Sequence, residues 1–127
     1  MDWVSHAVAA FGQSVGISEL ALDNDGYVLF TLEDNGVLCL HDLLNTGGGE
    51  VLITLARSLP APQAASARRA LALADFRKSN SREIQLSVRG ADLVVTLRIA
   101  RHSVMLSSLE DGVEALFGFH AAVAQMH

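Results

Sequence analysis

Two turn signals, Asp23-Asn24-Asp25-Gly26 and Asp34-Asn35-Gly36, cut the first half of this chain into short apolar runs. Asp-Gly and Asn-Gly between apolar runs are strong hairpin cues, because both central residues tolerate positive φ. The runs are 27–32 and 37–41, and after Thr46-Gly47-Gly48-Gly49 a third covers 51–55. They predict a three-stranded meander. They are almost unbroken in apolar residues instead of strictly alternating, which is how strands read when both faces of a sheet are covered. In 127 residues, one cover is the chain's own helices and the second is open to a partner chain.

Helical periodicity brackets the meander. Trp3, Val4, Ala7, Val8, Phe11 and Val15 recur at three- and four-residue steps and predict a helix over 2–15, with Gly16 as its stop. Pro60 and Pro62 end the strand region and pre-set an alanine-rich helix over 63–78, stopped at Asn80. A second hairpin follows: 83–88 alternates cleanly, Arg89-Gly90-Ala91-Asp92 turns, and 93–99 returns. A last helix is expected over 107–125, opened by a capping box of Ser107 and Glu110, with Leu109, Val113, Leu116, Phe117, His120 and Val123 on its buried face. Gly112 and Gly118 within it predict close packing or a bend. The expected fold class is therefore α+β, an antiparallel sheet flanked by helices in the order α-βββ-α-ββ-α. The length predicts a single domain over 1–127.

Charge and composition exclude several classes. Half of the residues are apolar, enough for a core and too many for a disordered chain. The net charge is -5. Every Lys and Arg lies in 57–101, while 1–56 holds eight carboxylates and none of them. Nucleic-acid binding needs an unopposed positive surface, so Arg68, Arg69, Arg77 and Lys78 read as the solvated face and last turn of a helix. Residues 1–16 do not resemble a signal peptide, and no stretch reaches the roughly 18 apolar residues of a membrane span. A lone cysteine, Cys39, cannot form an intrachain disulfide and fits a reducing compartment. A cytoplasmic location is expected, without membrane insertion.

No reaction chemistry is legible. His6, His41, His102, His120 and His127 stand apart from one another and from Cys39 at ligand spacing, so no metal site is expected. The run 23–26 has its glycine too early for a calcium loop and lacks the distal Glu. The triple glycine 47–49 lacks the Lys-Ser/Thr of a phosphate loop and leads into a strand. Glu33 and Asp34 point to opposite faces if extended, and Glu110 with Asp111 suits a helix's first turn. Cys39 is a mid-strand thiol with no neighbouring base. The expectation is no enzyme, no catalytic residue, no cofactor and no metal.

The element order, the apolar meander and the acidic balance resemble class I type III secretion chaperones, the Tir-chaperone (CesT-like) superfamily, over essentially the whole chain. Met1-Asp2-Trp3-Val4, Leu55-Ala56-Arg57-Ser58-Leu59, Ala70-Leu71-Ala72-Leu73 with Lys78-Ser79, Leu93-Val94, and Leu109, Leu116 and Phe117 resemble its SycN branch. The resemblance implies a small bacterial cytoplasmic dimer without ATPase activity. It would bind the N-terminal segment of a secreted protein and keep it non-globular and secretion-competent. The SycN branch implies a YscB-like subunit as heterodimer partner and a YopN-like gatekeeper as cargo. The alternatives are a homodimeric effector chaperone of the same superfamily, or a small structural or ligand-binding α+β subunit.

An extended segment can add to a sheet edge and drop alternate side chains into apolar pockets. Val8, Phe11, Val28, Phe30, Leu38 and Leu40 are the expected cargo contacts, though each also reads as plain core. Ala67, Leu71 and Ala74 of the second helix, with Leu93, Val95 and Leu97 of the last strand, are the expected dimer interface.

Overall fold

The computed structural model describes residues 3–17, 19–32, 36–43, 49–59, 61–78 and 84–125. The elements are α1 (Trp3–Ser14), β1 (Tyr27–Thr31), β2 (Val37–Asp42), β3 (Glu50–Ser58), α2 (Gln63–Lys78), β4 (Ile84–Arg89), β5 (Asp92–Ala100) and α3 (Leu106–Gln125). This is the α+β order expected. The strands form one antiparallel sheet in the order β1-β2-β3-β5-β4. The second hairpin docks by its later strand, so β5 lies against the full length of β3.

One face of the sheet carries the core. Leu38 and Leu40 of β2, Val51, Ile53 and Leu55 of β3, and Leu93, Val95 and Leu97 of β5 are buried there. They meet Val4, Val8 and Phe11 of α1 and Leu109, Leu116, Phe119 and Val123 of α3. Stripes at helical spacing on α1 and α3 thus pack on alternate residues of the strands.

Two glycines set close approaches. Gly26 has φ +83°, and a Cβ there would lie 2.5 Å from the Asp42 carbonyl oxygen; only glycine fits the turn that brings β1 beside β2. A Cβ on Gly112 would lie 2.7 Å from Ile53 Cδ1, so this helix glycine lets α3 sit close on the sheet. Gly118 has open space instead, and the packing expected for both holds only at Gly112.

The start of α3 also differs from expectation. The helix begins at Leu106, and the Met105 amide donates to Ser108 Oγ at 3.2 Å while that hydroxyl donates to the Ser103 carbonyl at 2.7 Å. The third residue of the helix reaches back to the cap, so Ser108 does the work assigned to the Ser107–Glu110 pair. The Asn80 stop and residues 33–35 and 44–48, which hold most of two expected turns, lie outside the described residues.

Candidate functional site

Among the described residues, no helix lies on the opposite face of the sheet. Its rows follow from the register: Tyr27, His41, Leu52 and Arg98; then Leu29, Cys39, Thr54, Thr96 and Gln85; then Thr31, Val37, Ala56, Val94 and Ser87. The sheet's curvature makes a groove of about 500 Å³ along these rows. Its middle is apolar, with Leu29, Val37, Leu52 and Val94 around a Thr54–Thr96 hydroxyl contact of 3.2 Å. Arg98 donates to Glu50 at 3.1 Å at one end. At the other, Ser58 donates to Asp92 at 3.5 Å.

Tyr27 and His41 stack with ring centroids 3.7 Å apart and 13° between planes, forming one wall. Cys39 lies in the groove floor. Burial, and secondarily the Asp23 carboxylate, pushes its thiol above the ordinary value. A protonated thiol is a poor nucleophile. No group of three or more His, Cys, Asp or Glu converges to hold a metal among the described residues. No helix among them is long and apolar enough to cross a membrane.

Three of the arginines on the sheet and its connections are engaged within the chain. Arg101 is buried in a pair with Asp42, Arg98 faces Glu50, and Arg57 lies 5.8 Å over the Phe117 ring.

The β1 edge is the second feature. The Asp42 amide donates to the Gly26 carbonyl at 2.8 Å, and the Leu32 amide to the Gly36 carbonyl at 2.7 Å. Alternation along an antiparallel ladder then turns the N–H and C=O groups of residues 27, 29 and 31 away from β2. Those of Tyr27 are taken: its amide donates to Asp23 Oδ1 at 2.9 Å, and its carbonyl accepts from the Asp23 amide at 2.8 Å. Those of Leu29 and Thr31 face outward without a partner among the described residues. Leu29 is 64% exposed. Edge strands are commonly blunted by Lys, Pro or a bulge. The run Tyr-Val-Leu-Phe-Thr of β1 contains no Lys and no Pro.

The expected contact residues fall on both sides of this surface. Val8, Phe11, Leu38 and Leu40 lie in the core. Val28 and Phe30 are half-buried on the helix side of β1. Leu93, Val95 and Leu97 are covered by the chain's own helices, so β5 offers Val94 and Thr96 outward in their place. On α2, Ala67 is half-buried and Leu71 is 58% exposed; the Ala74 side chain lies outside the described residues.

The open face itself, with Tyr27, Leu29, Leu52 and Val94, was missed. The signal for it lies in β4, where Gln85, Ser87 and Arg89 alternate with Ile84, Leu86 and Val88. Carried through the register, that parity marks the wet side of every strand.

No family model and no curated protein sequence matches the chain. Solved structures do. A chain of the HopA1–SchA chaperone–effector complex superposes with a TM-score of 0.71 at 14% identity, over 92% of this chain and 89% of that one. This chain shares that fold. A chain of the ExsC–ExsE complex gives 0.68 at 14% identity, over 98% and 92%. A chain from the structure of the Yersinia pestis type III secretion chaperone SycH with a stable fragment of YscM2 gives 0.66 at 12% identity, over 94% and 98%. Identities this low speak for the fold.

Proposed function

We propose that this chain is a cytoplasmic type III secretion chaperone, binding an extended N-terminal segment of a secreted protein and holding it non-globular. One observation carries the reading: an apolar sheet face without a helix on it ends in an edge strand whose Leu29 and Thr31 backbone groups point outward. A segment added there as a sixth strand would satisfy those groups. Its side chains would lie alternately beside Leu29 on the open face and beside Val28 and Phe30 on the helix side. The fold shared with the HopA1–SchA chaperone–effector complex and with the type III secretion chaperone SycH supports the reading.

The SycN-like strings carry the finer proposal: a YopN-like gatekeeper as cargo and a YscB-like subunit as partner. The exposed Leu71 of α2, with Ala67 and Ala74 of the same helix, is the proposed subunit surface. It lies at the β4–β5 end of the sheet and leaves the β1 edge to cargo.

Co-expression with a YscB-like subunit and a gatekeeper N-terminal segment, followed by light scattering, tests this. A 1:1:1 particle supports the heterodimer. A homodimer that captures the segment keeps the chaperone and removes the YscB-like partner. A monodisperse monomer that captures nothing rejects the proposal.

A further inference from the structure

The charges around the β1 edge narrow what can add to it. Asp23 and Asp25 are exposed in the turn that leads into β1. Asp23 also occupies both backbone groups of Tyr27. An added strand therefore pairs at Leu29 and Thr31 and must leave the edge beside these two carboxylates.

Among the described residues, the cations on this side of the chain are engaged elsewhere. The chain has no Lys or Arg before Arg57. Arg98 lies on β5, three strands from β1, or about 14 Å at normal strand spacing, and it is engaged with Glu50. Arg101 lies nearer, but both arms of its guanidinium are held by Asp42. His41, the basic side chain across from β1, is stacked on Tyr27. At physiological salt, charges beyond about 8 Å are largely screened, so Asp23 and Asp25 dominate the local field.

Resting on the chaperone reading above, we infer that the segment added at β1 carries Lys or Arg immediately outside its apolar, β-prone centre, at the end that passes Asp23 and Asp25. The backbone groups of Leu29 and Thr31 hold the centre without regard to sequence. The carboxylates select the flank and set its position along the edge, because an acidic flank there meets like charge.

Three synthetic peptides test this on the full chain, in whatever oligomer it purifies. They share a Val-Thr-Val-Thr-Val centre and carry Lys, Gln or Glu pairs at both ends. Titration is followed by the amide resonances of Leu29 and Thr31. The Lys peptide should bind roughly fivefold tighter than the Gln peptide at low salt, as expected for two exposed ion pairs. The advantage should vanish in 0.5 M salt, where the Debye length falls to roughly 4 Å, and be lost in Asp25→Lys, whose new charge offsets that of Asp23. Equal binding of Lys and Gln peptides overturns the charge selection and leaves strand addition standing. Binding that survives Leu29→Pro, or no binding by any peptide, overturns strand addition at β1 itself.

Discussion

Arg101 Nε donates to Asp42 Oδ1 at 2.8 Å and its Nη2 to Asp42 Oδ2 at 2.9 Å, in a buried two-pronged pair. The pair ties the end of β2 to the turn that follows β5, 59 residues apart. The Trp3 ring lies against the guanidinium, 5.0 Å from its carbon, and the indole N–H donates to the Arg101 carbonyl at 2.7 Å. One arginine thus joins α1, the sheet and the lead into α3. Removing one partner leaves the other charge buried. Arg101→Ala should cost roughly 3–5 kcal/mol in urea denaturation, and Asp42→Leu with Arg101→Met should recover much of it. Trp3 is the single tryptophan, so its emission reports loss of the pair directly.

The two α3 glycines should respond oppositely to alanine. Gly112→Ala drives a methyl into Ile53 and Leu97 and should cost up to about 2 kcal/mol, overpacking offset in part by the gain in helix propensity. Gly118→Ala meets open space and should gain up to about 1 kcal/mol from helix propensity. Thermal or urea unfolding of the two variants, side by side, decides it.

The two faces of the sheet should separate stability from binding. Leu29→Asp alters an exposed side chain and should change stability by less than about 0.5 kcal/mol, while weakening capture of an added strand. Leu40→Ala, in the core, should cost about 2–5 kcal/mol. Urea midpoints paired with a binding titration would show the split; a Leu29→Asp protein that unfolds easily would contradict the open face.

Cys39 gives a pH signature. Its thiol is raised above the ordinary 9.0 by burial and by Asp23, so the folded state holds the proton longer than the unfolded chain. The associated stability is complete below the unfolded value and is lost as pH rises through the folded one. Alkylation by iodoacetamide at pH 8 should be slower than that of free glutathione. Cys39→Ala should flatten the fall in stability above about pH 9.

Much of this arrangement was legible in the residues. Turn signals at 23–26 and 89–92 placed the ends of strands, and helical stripes placed α1 and α3, because both cues are local. The face of each strand was harder to read. Runs such as Val37-Leu38-Cys39-Leu40 are apolar on both parities, and local sequence cannot say which side the helices take. Contacts assigned to Leu38, Leu40, Leu93, Val95 and Leu97 fall in the core for that reason, while Leu29, Leu52 and Val94 face out.

Periodicity and turn chemistry alone decide that this chain forms an α+β fold, and the sequence confines every Lys and Arg to 57–101. They act between neighbours a few residues apart. Which face lies open, and which edge is free, depends on register between strands distant in sequence. That register is settled by α1 and α3 closing on one side of the sheet, by Gly26 approaching Asp42, and by the Asp42–Arg101 pair. Asp23 and Asp25 precede Leu29 by only a few residues, but only the folded chain turns the Leu29 backbone outward at a sheet edge, and that edge beside the two carboxylates is the proposed cargo site.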